Sequence, residues 1–368
     1  MIVLLSLVIW LYLVLLHGRF WSSGPELRPA EPTGPAQLPD IDIIVPARDE
    51  VETIGPVIAS LVAQDYAGNF RVILVDDNST DGTAAAAGTS PRLHILRGQP
   101  KPSGWSGKLW AVSQGVAAST AEVLLLTDAD IVHDPRHLAT LVARLRIPRV
   151  ELVSEMVRLN CTSFAERALV PAFVYFFQML YPFASVNNPR SRVAAGAGGT
   201  VLVRRAALEK IGGIEAIKGA LIDDVTLARA VKTVGPIYLG HSGLATSIRP
   251  YPHFSDIWNM IARTAFTQLR YSSGLLLLTL LGLTLVWLVP VGALLLGTGW
   301  IRACGAATCL LATASFVPTL LRYDRNPAWA LALPLIGLFY MAATVGSALR
   351  HWFGTGSQWK NRAYGAEQ

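Results

Sequence analysis

The segment LLLTDADIV, residues 124–132, sets Asp128 and Asp130 two positions apart directly behind a run of leucines. Carboxylates at that spacing, on a turn leaving a buried strand, are hard oxygen ligands for Mg²⁺ or Mn²⁺. Such ions commonly bridge one or two carboxylates to the phosphates of a substrate. A lone Asp-x-Asp is more often an ordinary turn or cap. Here it is third in a series, because IDIIVPARDE (41–50) and RVILVDDNSTDGT (71–83) also end apolar runs in acids. In an open parallel sheet, ligands sit outside the carboxyl ends of the strands. Arg48 to Glu50, Asp76 to Asp81 and Asp128 to Asp130 are therefore expected to converge on one crevice. Seven acids at one rim repel each other unless a cation or hydrogen-bond donors offset them, and a bound divalent metal would do so.

The elements that must position these residues read as α/β over residues 40–254. Near-continuous apolar runs ending in polar clusters are the pattern of parallel strands buried on both faces. Glu52 to Gln64 is predicted to be a helix after the first strand. Residues 22–39, with five prolines and two glycines, read as a linker.

Composition calls for a membrane part as well. The chain has 368 residues, 52% hydrophobic and 15% charged, with mean hydropathy +0.41, too apolar for an ordinary soluble enzyme. Residues 2–16 are apolar apart from Ser6 and, with His17 to Trp21, approach bilayer length. They read as an uncleaved anchor, since no basic flank precedes them and no small-x-small cleavage site follows closely. Residues 275–297, 303–321 and 328–349 read as three further spans, with 351–368 as a tail. Arg19, Arg263 and Arg270 flank the middle segment and put it on the cytoplasmic side of the membrane by the positive-inside rule. Three later crossings would leave Arg350, Lys360 and Arg362 outside, against that rule, so one C-terminal segment is expected to be re-entrant or interfacial. Cys161, Cys304 and Cys309 have neither disulfide-framework nor zinc-ligand spacing. The net charge of +6, with scattered arginines, argues against a nucleic-acid partner.

IVPARDE, VDDNSTDGT, LLLTDAD, GAGGTVLVRRAALEKIGG and LIDDVTLARAV, in this order, resemble a family-2 glycosyltransferase of GT-A fold, a Rossmann-like, mostly parallel sheet. GWSGKLWAVSQG, GALIDDVTLARAVK and RPYPHFSDIWNMIARTAFTQLRYS, with the four-span layout, are similar to the hopene-associated glycosyltransferases of bacterial hopanoid biosynthesis. The resemblance implies roles residue by residue. Pro46, Arg48 and Glu50, with Asp76 and Asp77, would contact the uracil and ribose of a nucleotide-sugar. Asp128 would face the ribose or metal, and Asp130 would ligate the metal beside the diphosphate. Lys108 would meet a phosphate as a point charge. Asp224 matches the family's general base, and Asp223 stands where the family usually has glutamate. The pair also suits a helix N-cap followed by a dipole-favoured acid. Gly198 and Gly199 permit close approach to acceptor or sugar. Of the Gln/Arg-x-x-Arg-Trp element of polymer synthases, TQLRY (267–271) keeps only Arg270, which argues against processive synthesis and leaves Arg270 a part in helping the diphosphate depart.

Two aromatic stretches bear on the acceptor. FAERALVPAFVYFFQMLYPFASV (164–186) lies within the middle segment. Ile257, Trp258, Ile261, Ala265 and Phe266 fall at helical spacing over 255–271, a stripe that suits either a core or an interfacial, lipid-facing helix. The expectation is a membrane-bound, metal-dependent, inverting enzyme moving one sugar from a nucleotide-sugar to a lipid, a hopanoid by the resemblance. Two alternatives stay open: a polyprenyl-phosphate glycosyltransferase, and a catalytically silent partner in lipid biosynthesis. A nucleotidyltransferase is disfavoured, because VPARDEVETIG lacks the Gly-rich loop those enzymes carry.

Overall fold

The computed structural model describes residues 1–30, 38–147, 150–354, 358–359 and 362–363. Part of the sequence-predicted linker, residues 31–37, and most of the tail fall outside these. Among these residues two compact units are present, one drawn from residues 25–160, 185–250 and 358–363, the other from residues 1–24, 161–184 and 251–354.

The first unit is built on an eight-stranded sheet: β1 (Ile41–Ala47), β2 (Phe70–Asp76), β3 (Leu93–Arg97), β4 (Val123–Thr127), β5 (Ile131–His133), β6 (Leu152–Arg158), β7 (Thr200–Arg204) and β8 (Ile237–Ser247), in the order β3-β2-β1-β4-β7-β6-β8-β5. Neighbours β3, β2, β1 and β4 run parallel. β7 is antiparallel to β4 and β6, β8 is parallel to β6, and β5 runs against β8. The sheet is thus mostly parallel, as the unalternating apolar runs implied. Ile43, Ile44 and Val45 of β1 and Ile73, Leu74 and Val75 of β2 are all at 0% exposure, which leaves no polar face. Full burial of each such side chain contributes roughly 1.5–3 kcal/mol.

β1 lies between β2 and β4, so the chain's winding reverses there and a crevice opens at the carboxyl ends of β1 and β4. One glycine brings a helix to that crevice. A Cβ at Gly115 would stand 2.5 Å from Ile44 Cγ2 and 3.2 Å from Val75 Cγ2. Without one, helix Gly107–Ala117 lies directly on the sheet and carries its first turn to the strand ends. Ser106 caps that turn, its Oγ accepting from Leu109 N at 3.3 Å.

The second unit is helical. Ser273–Leu296, Gly299–Arg322 and Pro327–Trp352 are 24, 24 and 26 residues long and apolar enough to cross a membrane. All three have spanning length, including the one expected to be re-entrant or interfacial. Helix Ile2–Leu15 is shorter, at 14 residues. Residues 16–21 do not extend it, because the chain enters left-handed backbone at Gly18 (φ 59°) and Arg19 (φ 51°).

A proline in the first long span explains a polar feature of that short helix. Pro290 has no N–H and cannot return the usual bond to the carbonyl four residues back. A π-helical turn, Thr284–Leu288, precedes it. Trp10 Nε1 donates to Val286 O at 3.0 Å, and Ser6 Oγ donates to Leu285 O at 2.7 Å. Ser6 and Trp10 are both fully buried. The lone serine of the N-terminal apolar run is therefore a hydrogen-bonding group aimed at a broken helical ladder.

Residues 161–184, expected within the α/β segment, belong to the helical unit as helix Phe164–Leu180 and the residues after it. The stripe on helix Phe254–Gln268 is packed rather than exposed: Ile257, Ile261 and Phe266 are buried, Trp258 meets Phe339 edge-on, and Phe266 meets Trp352.

Candidate active site

The two loops that leave β1 and β2 interlock through their own acids. Asp49 Oδ1 accepts from Thr80 N at 2.9 Å, and Asp81 Oδ2 accepts from Val51 N at 3.0 Å. Thr83 Oγ1 accepts from Glu50 N at 2.8 Å. Arg48 Nη1 donates to Asp77 O at 2.5 Å and stands 3.8 Å from that residue's fully buried carboxylate. Asp76 spends Oδ1 on Ser79 N at 3.1 Å. Much of the acidic rim is thus neutralised locally, by backbone N–H groups and one guanidinium.

Arg249, at the end of β8, was not singled out in the sequence. Its Nη2 donates to Glu50 Oε1 and its Nε to Asp130 Oδ2, both at 2.6 Å. One planar cation therefore ties the first loop to the second aspartate of the DAD turn. Burial opposes that charge, yet the two carboxylates raise its pKa further. Only its position 119 residues from Asp130 hid it, since nothing local marks an arginine after an apolar strand.

An open cleft of about 400 Å³ lies at the strand ends, and Pro46, Lys108, Asp128, Gly198, Asp223 and Asp224 all line it. Lys108 is the second residue of its helix, where the helix dipole disfavours a cation. Two carboxylates hold it there. Nζ is 2.8 Å from Asp128 Oδ1 and 3.0 Å from Asp223 Oδ2. Burial opposes the ammonium, but those two charges keep its pKa well above the ordinary lysine value. Burial likewise raises Asp128, Lys108 pulls it down, and the charges of Asp130 and Asp223 push it up, with a net rise.

Asp223 and Asp224 open helix Asp223–Lys232, both in its first turn; the N-cap position falls on Ile222 rather than on Asp223. The dipole favours acids in that turn. Asp224 Oδ1 accepts from Val225 N at 2.7 Å. Its other oxygen faces the glycine-rich loop, where a Cβ at Gly198 would lie 3.2 Å from Oδ2. Burial first, then the charge of Asp223, outweigh Lys108 and the Val225 N–H and push the Asp224 carboxyl up to about 7. That value suits a group that takes a proton near neutral pH.

Hard oxygen donors are what a Mg²⁺ or Mn²⁺ site uses, and a divalent charge beside Asp128 would offset the burial and the repulsion that raise it. The residues present fit such an ion, with Asp128 and Asp223 the carboxylates that meet at Lys108. Among the described residues no cluster of three or more His, Cys, Asp or Glu forms a ready metal cage. Asp130 commits one carboxylate oxygen to Arg249. Arg270 belongs to the helical unit, in the left-handed turn (φ 53°) that ends helix Phe254–Gln268.

Residues 42–212, which carry the first two loops, Lys108, the DAD turn and the glycine-rich loop, match the family described as "Glycosyl transferase family 2". Over that stretch the chain is similar to family-2 glycosyltransferases. Similar family members include an N-acetylglucosaminyltransferase of Bradyrhizobium elkanii, 28% identical over 138 residues that cover 33% of this chain and 74% of the relative. A beta-monoglucosyldiacylglycerol synthase of Synechocystis sp. is 32% identical over 120 residues, covering 30% of this chain and 25% of that one. A dodecaprenyl-phosphate galacturonate synthase of Rhizobium johnstonii is 25% identical over 128 residues, covering 32% and 36%. The chain thus spans well under half the length of the last two. A mannosyltransferase from Pyrobaculum calidifontis, solved with GDP-Man and Mn²⁺, shares the fold with TM-score 0.58 at 20% identity, covering 96% of this chain and 98% of that one.

Proposed function

We propose that the protein is a membrane-bound, metal-dependent, inverting glycosyltransferase that moves one sugar from a nucleotide-sugar, a UDP-sugar on the family pattern, to a lipid hydroxyl, a hopanoid being the acceptor that its motifs suggest. The observation that carries this is Asp224: a carboxyl raised to about 7, lining the same cleft as Lys108 and Asp128. In this reading Asp224 removes the acceptor hydroxyl proton while the oxygen attacks the anomeric carbon. The bond from that carbon to the diphosphate oxygen breaks, and its electron pair leaves with the nucleoside diphosphate. Inversion follows from attack opposite the leaving group. Lys108 meets the diphosphate as a cation, exchanging its contacts with Asp128 and Asp223 for phosphate oxygens. The divalent ion, when bound, supplies positive charge to the departing diphosphate, with Asp128 holding it and Asp130 beside it. Pro46, Arg48, Glu50, Asp76 and Asp77 form the nucleoside end.

Relatives named for a diacylglycerol glycolipid and for a dodecaprenyl phosphate support a lipid acceptor. A phosphate acceptor needs no base, so the raised pKa of Asp224 favours a hydroxyl. The three long apolar helices support a place in the bacterial inner membrane, with the catalytic unit on the cytoplasmic side where nucleotide-sugars are made. The test is to incubate membranes holding the full chain with a panel of nucleotide-sugars, Mn²⁺ and lipid extract, and to follow products by mass spectrometry. A hexose or N-acetylhexosamine increment on a lipid alcohol, abolished by EDTA, is expected. An increment only on polyprenyl phosphates would select the other acceptor. No transfer with any donor, alongside no binding of UDP or GDP, would leave the silent-partner alternative standing.

A further inference from the structure

Beneath the DAD turn lies a group of titratable side chains that the chemistry above does not use. Glu155 and His137 are at 0% and 1% exposure, Thr127 at 2% and His133 at 3%. They form one continuous series of contacts. Glu155 Oε1 is 2.6 Å from His137 Nε2, His137 Nδ1 is 3.1 Å from His133 Nδ1, and His133 Nε2 is 3.1 Å from Thr127 Oγ1. Thr127 Oγ1 is in turn 2.8 Å from Gly199 O.

The last contact fixes the direction of the rest. A carbonyl oxygen only accepts, so the threonine hydroxyl spends its single proton on Gly199 and must accept from His133 Nε2–H. His133 Nδ1 is then an acceptor, and His137 Nδ1–H donates to it. One proton is held between His137 Nε2 and the Glu155 carboxyl. Burial and the adjacent His137 keep His133 far below the ordinary histidine pKa, consistent with the neutral Nε2–H form. Glu155 Oε2 is buried with no hydrogen-bond partner among the described residues.

Stability alone does not account for such a series, since replacing buried ionic groups by well-packed apolar ones is often neutral or stabilising. Where it ends is informative. Gly199 O also accepts from Asp128 N, at 3.2 Å, and Gly198 abuts the Asp224 carboxylate. Thr127 and Gly199 thus join the turn bearing Asp128 to the loop that packs on Asp224.

We propose that Glu155, His137, His133 and Thr127 are positioning residues, a buried hydrogen-bonded column that sets Asp128 and the glycine-rich loop in register for donor binding. The proposal rests on the donor role assigned to Asp128 above. Partners of this kind behind a ligating group typically alter affinity or activity 10–100-fold when removed.

Thr127→Val keeps the side chain's shape and removes the hydroxyl, whereas Thr127→Ser keeps the hydroxyl. In the full-length protein, binding of UDP and of GDP with Mn²⁺ is measured below the melting temperature of every variant. Thr127→Val is expected to weaken nucleotide binding about 10–100-fold and to raise donor KM more than it lowers kcat, with Thr127→Ser near the parent. Glu155→Gln, able to donate to His137 Nε2, should likewise stay near the parent, and Glu155→Leu should not. Independently of any variant, ¹⁵N-histidine NMR of the parent should show His133 as the Nε2–H tautomer; the Nδ1–H tautomer overturns the column. Nucleotide binding unchanged in Thr127→Val, with only a lower melting temperature, overturns the positioning role. A parent that binds neither nucleotide overturns the functional reading and this inference with it.

Discussion

At the residue scale, one carboxyl is shaped by two opposed demands. Burial and Asp223 hold Asp224 up to about 7, against about 3.9 for an aspartate in an unfolded chain. The folded state therefore binds this proton more tightly than the unfolded state. Its ionisation opposes folding progressively as pH rises from about 4 to about 7, and the opposition persists above that. As the proposed base, Asp224 would work only when ionised. Transfer is thus expected to rise with pH through about 7 and level off. Asp224→Asn should lower kcat about 100- to 10,000-fold while leaving nucleotide binding near the parent. It should also raise the melting temperature at pH 8 and leave it little changed at pH 4, since removing a charge that opposes folding stabilises. Near-parental transfer by Asp224→Asn, or a parent rate flat from pH 5 to 9, would rule out the base assignment. The sequence brought Asp128 within view because it ends a buried strand, and Lys108, Asp223 and Asp224 through the motifs that carry the family resemblance. Arg249 and the Glu155 column stayed hidden, because their meaning lies in contacts across strands. Glu155 stands inside an apolar strand, and His133 and His137, though four apart, occupy different elements.

At the element scale, hydrophobic periodicity revealed which segments were strands and spans, but not which polar residues hold them. Ser6 looked like a blemish in an apolar run. It and Trp10 instead satisfy carbonyls of a span whose ladder Pro290 breaks. In hydrocarbon an unsatisfied carbonyl costs several kcal/mol, and Trp10 adds an edge-on contact with Trp287, 5.3 Å between centroids. Trp10→Phe keeps most of the apolar surface and removes the N–H. It should lower the melting temperature of the detergent-solubilised protein, and adding Pro290→Ala, which restores a backbone N–H for Val286 O, should recover much of the loss. Independent, additive losses from the two changes would show that the indole is not answering the proline. The same limit hid the division of the chain. Residues 161–184 read as part of one α/β run because an aromatic helix packs equally well in either unit, and only tertiary contacts assign it.

At the scale of the whole molecule, the chain combines two solvents' worth of surface. The α/β unit buries its sheet on both faces in the manner of a water-soluble domain. The long helices instead leave large apolar side chains outward: Leu278 is 65% exposed, Leu295 67%, Leu335 73% and Leu296 86%. Contiguous apolar exposure on that scale is an aggregation liability in water and the expected surface in lipid. The protein should therefore stay with the membrane pellet through high salt and carbonate at high pH, and leave it only with detergent. The proposed cytoplasmic side for the α/β unit rests on the proposed donor, a cytoplasmic metabolite, and on Arg19, Arg263 and Arg270 beside the apolar segments. Arg190 and Arg192 are exposed in the stretch that links helix Phe183–Asn187 to the glycine-rich loop, and they offer trypsin a place to cut. In sealed inverted vesicles, cytoplasmic face outward, trypsin should cleave there, and externally added nucleotide-sugar should be consumed. In right-side-out vesicles both should fail until detergent opens them. Cleavage confined to right-side-out vesicles would overturn the topology and the cytoplasmic donor together, because a unit facing away from the cytoplasm has no access to the nucleotide-sugar pool.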